Sequence, residues 1–119
     1  MVEAPLPLQA QPLDATLTAL ADPARRRAIE LLRDEPRRSS DLAEALGLSR
    51  PLMSRHLKVL RQAGLVEERA AEHDARNRVY RLKAERFAEL RGWVEEVEAF
   101  WNEQLGAFAE YAEEKLRKR

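Results

Sequence analysis

Cysteine is absent from this chain of 119 residues. Disulfides and thiolate metal sites are thereby excluded, and the composition suits a cytoplasmic protein. There is no apolar run of 18 residues, so no membrane-spanning helix is expected. Residues 1–12 lack the basic start and apolar stretch of a secretory signal. Histidine occurs only at His56 and His73, and there are four glycines. Neither a glycine-rich phosphate loop, nor a cluster of metal ligands, nor a nucleophile beside a base can be picked out, so an enzyme is not expected and no cofactor is implied. Ser39, Asp41 and Glu44 do fall together, but helix capping and solubility account for them.

Net charge is also lacking, with 21 basic and 21 acidic side chains. The balance hides a segregation. Residues 1–48 carry a net −2, residues 49–83 a net +5 and residues 84–119 a net −3. A basic centre between acidic flanks can neutralise phosphates locally, while the flanks restrain indiscriminate binding.

The length suits a single domain. Pro5, Pro7 and Pro12 mark residues 1–12 as a flexible arm. Leu13, Leu17 and Leu20, spaced four and three apart, predict a first helix over 13–21. Asp22-Pro23 is a helix start, since aspartate caps free amides and proline suits the first helical position. That second helix runs to about Asp34, with Ala28, Leu31 and Leu32 on one face, before Pro36 forbids continuation. Ser39 or Ser40 can cap a short third helix that turns Leu42, Ala43 and Leu46 inward and ends at Gly47. Ser49 can cap a fourth helix, over 49–63, with Pro51 in its first turn and Gly64 at its end. Residues 65–82 predict a β-hairpin, its strands at Leu65-Val66 and 79–82, with His73, Asp74 and Asn77 in a polar tip. From 83 to 115 the apolar residues again recur at three and four. They predict a helix of about 50 Å, which Gly92 or Gly106 could kink or break.

Two helices joined by a tight turn at Gly47, with small Ala43 at their crossing, form a helix-turn-helix, whose second helix enters the DNA major groove. On the fourth helix Met53, Leu57 and Leu60 share one face. The opposite face presents Pro51, Arg55, Lys58 and Gln62, flanked by Arg50, Ser54 and Arg61 and, on the other side, by Leu52 and Val59; all its ionisable groups are basic. Arg55 is the best candidate for a bidentate contact to guanine, Ser54 can bond several bases, and Leu52 can meet a thymine methyl. Arg50, Lys58 and Arg61 suit phosphates. Ser39, Ser49 and His56 complete the candidate DNA set on the two helices. From the hairpin, Arg76 and Arg78 join it, and Arg69 and Arg81 add to the charge of a wing that can lie along the backbone or in the minor groove.

The segments LADPARRRAIELL (20–32), DLAEALGLS (41–49), MSRHLKVLRQAGLV (53–66) and RVYRL (78–82) together resemble the ArsR family of winged helix-turn-helix repressors, from about Leu13 to the end. The resemblance implies a mainly α fold with a β-hairpin wing: a winged helix-turn-helix domain over 13–83, completed by a long dimerisation helix over 84–119. It further implies a homodimer that binds an inverted repeat in double-stranded DNA and represses transcription, often of its own operon. Dimerisation through the first and last helices would use Leu13, Leu17 and Leu20 with Phe87, Leu90, Val94, Val97, Trp101, Leu105 and Phe108; Trp93 and Phe100 widen that stripe. The stretch WVEEVEAFWNEQL (93–105) is similar to a branch without metal ligands. Many members sense metals through cysteines of the third helix or through histidine and acidic ligands of the last. Here neither set is present, so no metal site is carried over. Glu95, Glu96, Glu98 and Glu103 read as a solvated face rather than a site for a hard cation. Two rival readings follow from the same residues: a metal-responsive repressor with oxygen ligands, and a winged-helix module that binds protein instead of DNA.

Overall fold

In the computed structural model, which describes residues 10–118, the chain begins with α1 (Ala10–Leu20). This helix starts three residues earlier than the leucine spacing indicates, because its first turn accommodates Pro12, whose missing amide is not needed there. Residues 10–12 are thus helical rather than part of an arm, and 1–9 lie outside the described residues. α1 turns Thr16 and Ala19 into the core and leaves Leu17 40% exposed. Burial of Thr16 is tolerated because its hydroxyl donates to the Pro12 carbonyl at 2.9 Å.

α2 (Pro23–Asp34) begins as expected, with the Asp22 carboxylate accepting from the Ala24 amide at 2.8 Å and the Arg25 amide at 3.4 Å. α3 (Ser39–Leu46) departs from expectation at its start. Ser39 is its first helical residue, and the capping position belongs to Arg38, whose side chain makes no cap bond. Arg38 is instead drawn to Asp41, with Nε 3.1 Å from Oδ2, so the local ion pair prevails over a serine cap. At the other end Gly47 takes φ 66°, and the Gly47 and Leu48 amides donate to the Glu44 and Ala43 carbonyls. This is the left-handed helix exit that glycine permits.

α4 (Arg50–Gln62) follows at once, capped by Ser49, whose Oγ accepts from the Leu52 amide at 3.3 Å. Met53, Leu57 and Leu60 are completely buried and join Ala28, Leu32, Leu42, Leu65 and Val66 in one core. Each large side chain buried in this way contributes about 1.5–3 kcal/mol. Gly64, at φ 79°, releases the chain into the hairpin.

The hairpin is longer than its hydrophobic ends suggest. β1 (Val66–Ala71) pairs antiparallel with β2 (Asp74–Leu82), Val66 opposite Leu82 and Glu68 opposite Tyr80. Asp74 and Asn77 therefore sit in β2, and the turn is Glu72-His73 alone. The register shifts between Ala70 and Ala71, where Asp74 accepts from the Arg76 amide and from Asn77. Polar residues can belong to such a strand because its pairing needs only backbone. At the root, Arg37 forms a bridge with Tyr80 through two backbone bonds of 3.1 and 2.8 Å.

α5 (Ala84–Arg117) runs unbroken through both Gly92 and Gly106 and contains no buried residue. The chain divides into two compact units, at Ala88/Glu89. The first has the core just described, with Phe87 packed on it. The second is the remainder of α5.

Candidate nucleic-acid interface

The outer face of α4 carries Arg50, Ser54, Arg55 and Lys58, all exposed, with Leu52 half-buried at its edge. The opposite face is held by Met53, Leu57 and Leu60, so the rotation of the helix is set by its own packing. Among the described residues, Arg50, Arg55 and Lys58 have no acidic partner. The Ser49 hydroxyl already serves as the helix cap, and Ser39 is half-buried in the first turn of α3.

His56 stands apart from this face. It is half-buried, and its Nδ1 lies 3.3 Å from Arg25 Nη1 of α2. Arg25 also donates to the Ala19 carbonyl at 2.6 Å and to that of Thr18 at 3.4 Å. One side chain thereby ties the end of α1, the start of α2 and α4 together. Partial desolvation pushes the nearby Asp22 carboxyl up, but the Ala24 and Arg25 amides with the His56 and Arg25 charges outweigh it and hold it below 3.8. Asp41 is likewise lowered, chiefly by its bond from Arg38.

The wing differs from expectation. Its arginines are numerous but paired. Arg69 and Arg81 both reach Glu67 Oε1, at 2.8 and 2.7 Å. Glu68 accepts from Arg61 of α4 and from Arg78 of β2, each at 3.2 Å, and from the Tyr80 hydroxyl at 3.4 Å. Burial raises the Tyr80 phenol, and the Glu68 charge raises it further. Arg61 and Arg78, read from sequence as DNA contacts, are thus bound to the protein's own carboxylate. Arg76 is exposed, and its guanidinium has no acidic partner among the described residues. The signal for this pairing was present in Glu67-Glu68, directly across the hairpin from Arg81 and Tyr80 with Arg78 on the diagonal, but it needs the register to be read.

The residues expected at a dimer interface divide. Leu20 and Phe87 pack on the protomer's own core, and Leu13 and Leu90 are half-buried. Leu17, Val94, Val97, Trp101, Leu105 and Phe108 are exposed, with Trp101 at 58% and Phe108 at 69%. Tyr111, which was not singled out, adds to the exposed stripe and has Lys115 Nζ 5.5 Å from its ring centroid. An open cleft of about 500 Å³ between α3 and the start of α4 is lined by Arg38, Ser40, Asp41, Glu44 and Arg50. Its charged walls are unlike an apolar small-molecule pocket. Among the described residues, no three His, Asp or Glu are grouped so as to hold a metal ion, and no helix is long and apolar enough to cross a membrane.

Residues 22–68 match the family described as bacterial regulatory protein, arsR family. The HTH-type transcriptional regulator Rv2034 of Mycobacterium tuberculosis is 39% identical over 97 residues, covering 82% of this chain and 85% of the relative. Among solved structures, an ArsR-like transcriptional regulator from Rhodococcus sp. RHA1 superposes with a TM-score of 0.71 at 27% identity, covering 84% of this chain and 92% of the other. A homodimeric winged helix-turn-helix DNA-binding domain from Mycobacterium bovis, solved by NMR, superposes with a TM-score of 0.56 at 25% identity, covering 87% and 94%.

Proposed function

The chain belongs to the arsR family of bacterial regulatory proteins, and from that premise we propose that it is a cytoplasmic repressor which binds an inverted repeat as a homodimer. It is a DNA-binding transcriptional regulator of winged helix-turn-helix fold. The observation that carries the mechanism is the outer face of α4, where Arg50, Arg55 and Lys58 project without an acidic partner among the described residues. Arg55 sits at the centre of that face and reads guanine through two hydrogen bonds. Arg50 and Lys58 hold phosphates, which fixes register without reading sequence.

Dimerisation supplies the second reading helix, placed about 34 Å from the first so that both enter successive major grooves. A second copy covers Leu17 of α1 and the stripe Val94, Val97, Trp101, Leu105 and Phe108 of α5. What supports this is that Val94, Val97, Trp101, Leu105 and Phe108 of α5 are exposed in the single chain and that the Mycobacterium bovis neighbour is homodimeric. Any signal that alters the dimer alters the spacing of the two helices, so signal and DNA compete by linkage.

The first operator to test is the region upstream of the chain's own gene. In a gel shift with that duplex, Arg55→Ala should cost about 1–3 kcal/mol of specific binding. Sedimentation of the variant should still give the dimer. Unchanged affinity would remove Arg55 from the reading role.

A further inference from the structure

We propose that Glu68 masks charge: it holds Arg61 and Arg78 on the protein and so withholds two cations from the phosphate backbone of every DNA sequence. The inference rests on α4 being the reading helix, since Arg61 lies on that helix. Three donors converge on the one carboxylate, the two guanidinium groups at 3.2 Å and the Tyr80 hydroxyl at 3.4 Å. Strand alternation explains the convergence. Glu68 lies opposite Tyr80 with Arg78 on the diagonal, so all three share one face of the hairpin, and Arg61 reaches that face from α4. The Glu68 side chain is only 25% exposed. For either arginine to turn to a phosphate, this largely covered carboxylate would have to lose a partner while an anion approaches.

The consequence is one of selectivity. Contacts between arginine and phosphate strengthen binding to all sequences alike. A repressor has to discriminate against a large excess of other sites, and the relevant quantity is the ratio of specific to non-specific affinity. Withholding Arg61 and Arg78 lowers the non-specific part, while Arg55 and Lys58, which have no such acid among the described residues, keep the contacts of the outer face.

The test uses a 30-base-pair duplex of random sequence and fluorescence anisotropy in 50–200 mM KCl. Each phosphate neutralised adds about 0.9 to the slope of log affinity against log salt. Glu68→Gln should steepen the slope by about 1 to 2 and tighten non-specific binding roughly tenfold. Adding Arg61→Gln and Arg78→Gln to that variant should return the slope to its starting value. In the unaltered Glu68 background, Arg61→Gln and Arg78→Gln should each leave the slope in place. Lys58→Gln should lower it by about 1. An unmoved slope in Glu68→Gln overturns the masking. So does a fall of about one unit in Arg61→Gln or Arg78→Gln, a result that does not depend on Glu68→Gln folding. If Lys58→Gln also fails to lower the slope, it is the placement of α4 on DNA that fails.

Discussion

α4 and α5 carry the same kind of pattern and put it to opposite use. Both place apolar residues three and four apart. In α4 those residues, Met53, Leu57 and Leu60, are completely buried by their own chain. In α5 the corresponding stripe includes Trp101 and Phe108, more than half exposed, and no residue of the helix is buried. A helical stripe therefore says that something will cover it but not what. A helix of this composition left uncovered in water would be marginal, because most helical stability in proteins comes from packing one face. The stability of α4 should accordingly be a property of the single chain, and that of α5 a property of the assembly.

Variants can pull this contrast apart. The largest effect should come from Leu57→Ala, which leaves a cavity in the core and should cost about 2–5 kcal/mol in urea unfolding. That loss should be the same at every protein concentration; a loss that vanished at high concentration would mean that α4, too, depends on a partner. Next comes Trp101→Asp, which sets a charge within the exposed stripe. It should weaken the dimer by about 2 kcal/mol or more, some thirtyfold, in sedimentation equilibrium. An unaltered dimer would show that α5 is covered by something other than a second copy. A smaller effect concerns how the α2 end of this arrangement responds to acid. The Asp22 carboxyl is lowered in the folded state, so its contribution is present above 3.8 and is lost as pH falls through the folded value. Asp22→Asn can still accept from the amides but has no proton to gain. Its urea stability should fall less between pH 5 and pH 2.5 than that of the parent, and equal slopes would remove Asp22 from the acid response.

How far the sequence speaks depends on how local each cause is. The Asp22 and Ser49 caps, the exit at Gly47 and the buried face of α4 each arise within a few residues, and each stands where the pattern indicates. The membership of the family and the winged fold were legible for the same reason. What the sequence could not decide required distant partners. α1 is turned by Thr16, whose burial depends on a bond to the Pro12 carbonyl, so hydropathy alone points to Leu17 instead. The wing arginines looked available because Glu67 and Glu68 lie 10 to 14 residues before Arg78 and Arg81, and only the strand register brings them together. His56, which sits between motif residues, is held by Arg25, 31 positions away.

The bridge between Arg37 and Tyr80 has one more consequence. Every attachment of the hairpin to the rest of its unit described above lies near the root: this bridge, the Glu68 bond to Arg61 and the buried Val66. Beyond Ala70 the two strands have chiefly each other. The hairpin is thus a cantilever, clamped at one end. Changes of length or charge at Glu72-His73 load only the free end, so the tip can be lengthened, labelled or rewritten while the reading helix keeps its seat.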